Sequence, residues 1–120
     1  MSYRHDWLQK KIYNSPSLAG ISSTGLIQKM QEFALIKHGQ EMVVPDLAFV
    51  KKDNLYLVEI KGNPGQWCMN KYKSQAQRIT TWYESENIQT PNIRLVHPNK
   101  DWYKDMFDML GDLNVEVYKH

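Results

Sequence analysis

The 120-residue sequence is the size of one domain, and its 42% apolar and 12% aromatic content suits a packed core rather than a disordered chain. The single cysteine, Cys68, excludes an intramolecular disulfide and a cysteine-built zinc site. No apolar run approaches the ~20 residues that span a bilayer, so the expected setting is reducing, cytoplasmic or otherwise intracellular, with no membrane partner. The net charge of +2 is small, but it is unevenly spread. Residues 51–78 hold six Lys or Arg against two acids, whereas 99–120 hold three Lys against five acids. One end of the molecule could therefore face a polyanion.

In chain order, residues 1–21 form an arm or an extra helix, with a short helix around Trp7 to Tyr13 followed by the turn-forming run NSPSLAG. Ser22, Ser23 and Thr24 then offer N-caps to a predicted helix. Leu26, Met30, Phe33 and Lys37 fall at helical spacing, Ile27 and Ala34 widen its apolar stripe, and Gly39 stops it. VVPDLAFVKKDNLYLVEIKG, residues 43–62, reads as two strands joined by a tight turn. After the loop GNPGQ, a helix is expected from about Asn70 to Glu86, burying Tyr72, Ala76, Ile79 and Tyr83. NIRLVHP reads as a strand, DWYKDMFDML as a third amphipathic helix ended by Gly111, and NVEVY as a last strand. The order implies one α/β domain with a core at 22–98 and a C-terminal helix and strand at 99–120. Its sheet is mixed, with an antiparallel hairpin and later crossovers through helices.

The charges of the hairpin carry the chemistry. Alternation places Asp46, Ala48 and Val50 on one face, and Leu55, Leu57, Glu59 and Lys61 on one face. A turn centred on Lys52 and Asp53 pairs Val50 with Leu55, Ala48 with Leu57 and Asp46 with Glu59. Two carboxylates would then stand roughly 5 Å apart, a repulsion that needs a positive group between them. A turn centred on Asp53 and Asn54 instead sets Asp46 opposite Lys61, an ordinary cross-strand ion pair. In the first register, Asp46 and Glu59 are oxygen ligands suited to Mg²⁺ or Mn²⁺. Lys61 stands alongside to orient water or offset developing charge, a set of groups suited to phosphodiester hydrolysis.

Pro45 and Asp46, followed after a hairpin by Glu59, Ile60 and Lys61, resemble the PD-(D/E)XK nuclease signature. The segment YKSQAQRITTWYES further resembles the helix of archaeal Holliday-junction resolvases and VRR-NUC nucleases. The resemblance covers residues 23–98 and implies a restriction-endonuclease-like core with its active site at a bend in the hairpin. It implies a DNA endonuclease, branch-specific or of a restriction, mobile-element or phage type, or else an inactive nucleic-acid-binding subunit of the same fold. Asp46, Glu59, Lys61 and Gln75 become the catalytic set, with Gln75 ordering the site. Asp46, Glu59, Glu32 and Ile60 become the metal set, Glu32 standing for a glutamate on the helix before the hairpin and Glu41 as its substitute. Lys51, Lys52, Lys71, Lys73 and Arg78 are the candidate DNA contacts, read together as a group, since any one of them is as readily a solvated surface charge. Trp67 is a possible stacking surface, and Trp82, Trp102, Tyr103 and Phe107 read as core. The four histidines show no metal-ligand spacing and receive no role. Cutting both strands with one site per chain implies a homodimer.

Overall fold

The computed structural model describes residues 3–61, 66–97 and 115–119. Helix α1 (Tyr3–Asn14) leads through a 3-10 turn (Pro16–Ala19) to strands β1 (Leu26–Gln31), β2 (Leu35–Lys37), β3 (Gln40–Val43), β4 (Leu47–Lys51) and β5 (Asn54–Ile60). Helix α2 (Gln66–Ser85), β6 (Asn92–His97) and β7 (Val115–Lys119) follow. The helix expected at 101–110, Gly111 and the loop residues 62–65 lie outside the described residues, as do the side chains of Trp67, Trp102, Tyr103 and Phe107.

Five strands form one mixed sheet in the order β1-β4-β5-β6-β7. β1 and β5 flank β4 antiparallel, while β5, β6 and β7 run parallel. The expected mixed sheet with an antiparallel hairpin is present, and the crossover from β5 to β6 runs through α2. β2 and β3 make a separate two-stranded ribbon.

The helix expected from 22 to 39 does not form; that segment is β1, a bend, and the β2–β3 ribbon. Its apolar residues match a helical period, but they pair better than they coil. β1 lies along β4 from Leu26 to Gln31, completing an edge that β4 would otherwise leave open. Gly39 does not cap a helix. His38 and Gly39 have φ of 54° and 76°, the two positive values of the tight turn that joins Lys37 to Gln40.

Among the described residues each face of the sheet carries one helix, because alternate strand residues point to opposite sides. On one face α2 buries Tyr72, Ala76, Ile79 and Tyr83 against Ala48, Leu57, Ile93 and Leu95, with Leu35 and Val43 of the ribbon closing the edge. The buried face of α2 is thus the one its period implies, and Trp82 packs beside it. On the other face, Leu8 and Ile12 of α1 pack with Ile21, Leu47, Phe49, Val58, Ile60 and Val96. α1 is a full layer of the domain, not an arm.

Candidate active site

The β4–β5 register decides between the two readings of the hairpin. Lys51 pairs with Asn54, Val50 with Leu55, Ala48 with Leu57 and Leu47 with Val58. One step further brings Asp46, in the bend before β4, alongside Glu59, the arrangement that juxtaposes two acids. The bend is held tightly. Asp46 Oδ2 accepts the Ile60 N–H at 2.8 Å, and the carbonyls of Asp46 and Pro45 accept the N–H groups of Glu32 and Phe33 at 2.9 and 3.0 Å.

Those last two bonds fix Glu32, which sits on the turn after β1 with φ of 51°. A left-handed conformation costs a non-glycine residue roughly 1–2 kcal/mol, so the turn persists only because its neighbours over-determine it. The resemblance placed this acid on a helix; the structure places it on a strained turn beside Asp46. Glu41, its substitute, is exposed on β3 in the separate ribbon.

The helix that does reach the acids is α1, through two side chains one turn apart. His5 Nε2 lies 3.2 Å from Asp46 Oδ2. Gln9, buried, donates from Nε2 to Glu32 Oε1 at 3.3 Å and lies 3.5 Å from the Asp46 carbonyl. Neither residue is marked by spacing between histidines, the pattern that leaves His5 without a role in the sequence. The i, i+4 spacing of His5 and Gln9 beside the apolar Leu8 and Ile12 was the available signal.

Glu59 is 1% exposed. Burial, then the neighbouring Asp46 carboxylate, pushes its carboxyl well above the ordinary value of 4.5, with Glu32 adding to the rise and Lys61 opposing it. Its Oε1 has no hydrogen-bond partner among the described residues. The Lys61 ammonium stands 5.8 Å from the centre of the Tyr72 ring, and the Lys61 backbone N–H donates to Val96 O at 3.0 Å. The Tyr72 hydroxyl donates to the same Val96 carbonyl and lies 3.4 Å from Glu59 O. α2 therefore supports the strand bearing Glu59 and Lys61 from beneath. Ile60, whose side chain is fully buried, can serve the site only through its backbone. Gln75 lies one turn past Tyr72, with a buried Oε1 that has no partner among the described residues.

The candidate DNA contacts do not gather. Lys71 is exposed and Lys73 half-buried on α2, whereas the Arg78 guanidinium donates to Met42 O and ties α2 to β3. Lys51 and Lys52 stand at the hairpin tip, about 16 Å along the strand from Asp46 at ~3.3 Å per residue.

No family model matches this sequence, and no curated protein matches it. Solved structures do. A repair endonuclease from Pyrococcus abyssi superposes with a TM-score of 0.63 at 18% identity, covering 100% of this chain and 48% of that one. EndoMS in complex with dsDNA superposes with a TM-score of 0.64 at 15% identity, covering 100% and 45% respectively. The fold is restriction-endonuclease-like. This chain spans less than half the length of either of those proteins.

The donor set has the chemistry that suits a hard divalent cation: Glu59 Oε1 has no hydrogen-bond partner among the described residues, the Asp46 and Glu59 carboxyls are neighbours, and their donors are oxygens. Among the described residues no group of three or more His, Cys, Asp or Glu side chains is placed to hold a metal ion. Mg²⁺ needs no such group, since it is held through one or two carboxylates and keeps several waters. Among the described residues no helix is long and apolar enough to cross a membrane.

Proposed function

We propose that this chain is a metal-dependent DNA endonuclease of the PD-(D/E)XK type. The observation that carries the reading is the pairing of Asp46 with a buried Glu59 whose Oε1 is unpartnered among the described residues, next to the Lys61 ammonium. Likeness in fold to a repair endonuclease and to a DNA-bound EndoMS supports the substrate class. Asp46 and Glu59 hold Mg²⁺ or Mn²⁺, with Glu32 at the margin of the same set. A cation held there supplies polarisation of a phosphoryl oxygen and activation of water.

The remaining work falls to the chain. Lys61 orients the attacking water and offsets charge developing on the phosphoryl oxygens. Tyr72 and the Ile60 N–H keep Glu59, Lys61 and Asp46 in register, and Gln75 lies near enough along α2 to order the site. Lys71 and Lys73 contribute phosphate contacts. A preference for branched or junction DNA, and action as a homodimer so that two sites meet two strands, belong to the same proposal.

Labelled single-stranded, duplex, flap, splayed-arm and four-way-junction DNAs, each incubated with Mg²⁺, Mn²⁺ or EDTA, test it. Cleavage by the native chain, abolished by EDTA and by the Glu59→Ala, Lys61→Ala double variant, is the expected result. Full cleavage by Asp46→Ala would refute the assignment, and binding without cleavage would mark an inactive module.

A further inference from the structure

The catalytic reading leaves His5 without work, yet its position is specific. Its Nε2 stands 3.2 Å from Asp46 Oδ2, with both side chains nearly enclosed at 13% and 14% exposure. Its Nδ1 stands 3.8 Å from Asp6 Oδ1. α1 holds the ring there rigidly, because Leu8 and Ile12 are fully buried in the core below it. Ligands at adjacent corners of an octahedral ion, each about 2.1 Å from it, stand roughly 3 Å apart, so Nε2 and the Asp46 carboxylate already have the spacing of two such ligands.

We propose that His5 is a metal ligand through Nε2, alongside Asp46, and that it makes this site prefer Mn²⁺ to Mg²⁺. The inference rests on the reading that Asp46 holds a divalent cation. Imidazole nitrogen binds first-row transition ions better than it binds Mg²⁺, whose preference is for oxygen. One nitrogen in an otherwise oxygen set therefore acts on selectivity more than on binding as such. As a ligand, an imidazole adds no negative charge to the crowded carboxylates.

The test measures binding without DNA and without turnover. The purified chain, His5→Ala and Asp46→Asn are titrated with MnCl₂, free Mn²⁺ being read by electron paramagnetic resonance, and with MgCl₂ by calorimetry. Far-UV circular dichroism and thermal unfolding verify folding, with His5→Asn as the milder substitute should the alanine variant unfold. The native chain is expected to bind Mn²⁺ more tightly than Mg²⁺. His5→Ala is expected to lose about tenfold or more in Mn²⁺ affinity while Mg²⁺ affinity shifts by less than about threefold. Equal losses for both ions would mean that His5 only positions Asp46, and unchanged affinities that it does neither; each result overturns the proposal. A native chain that binds neither ion would remove the cation reading itself. Asp46→Asn separates the cases, since it must lose both ions where His5→Ala loses one.

Discussion

The two helices cover opposite faces of one sheet, and they do different work. α2 contacts the sheet through a continuous stripe of Tyr72, Ala76, Ile79 and Tyr83, and its main polar contribution to the site is one hydroxyl against the strand carrying Glu59. α1 buries two apolar side chains at the same spacing but sends His5 and Gln9 between them toward Asp46 and Glu32. A helix need not be long or strongly amphipathic to shape a site. Its first turn must end where strands bend, and there polar side chains find partners that the sheet's middle lacks.

Substitutions can break this contrast in order of expected effect. Asp46→Ala or Glu59→Ala should lower cleavage at least ~10²–10³-fold, in the range that removal of a group stabilising transition-state charge produces, with little loss of fold; single-turnover assays and circular dichroism check both. Ile79→Ala, under α2, should do the reverse, costing ~2–5 kcal/mol of stability while leaving residual cleavage by the folded fraction; urea unfolding measures it. Glu59→Gln sharpens the comparison without catalysis. Because burial raises the Glu59 pKa in the folded chain above its unfolded value, its contribution to stability is present below pH 4.5 and is lost as pH rises through the folded value. The variant should therefore gain in Tm over the native chain at neutral pH, in the absence of divalent ions, and gain nothing near pH 4. Gln9→Ala removes the bond to Glu32 and should cost about 1 kcal/mol, read by thermal unfolding. Lys52→Ala, at the far end of the hairpin, should change DNA affinity less than about twofold; a larger loss in a filter-binding assay would show that DNA runs the length of the strand.

The legible parts of the molecule were those where one residue pattern admits one structure. The two runs flanking KKDN read as paired strands, but that turn admits two registers, and the β4–β5 pairing selects the one that sets Asp46 beside Glu59. The buried face of α2 followed from its period. The segment from 22 to 39 was misread because its apolar spacing satisfies both a helix and an edge strand; the vacancy beside β4, visible only once the sheet exists, selects the strand. Glu32 lies on a turn and not on the expected helix, where the carbonyls of Asp46 and Pro45, distant in sequence, accept the N–H groups of Glu32 and Phe33 and hold its left-handed φ. The lysines Lys51 and Lys52 stand at the hairpin tip, at the other end of β4 from Asp46.

Sequence by itself determined that the chain forms one α/β unit, that a hairpin presents two acids and a lysine, and that α2 buries an aromatic and aliphatic stripe. These are local facts, set by periods of 2 and 3.6 residues and by a turn. Only the tertiary structure decided that α1 belongs to the site, that Glu59 is buried beside Asp46, and that His5 and Gln9 reach the acids. Those outcomes depend on where the end of one helix falls relative to a strand some forty residues later, a distance that packing of the whole core sets and no local pattern records.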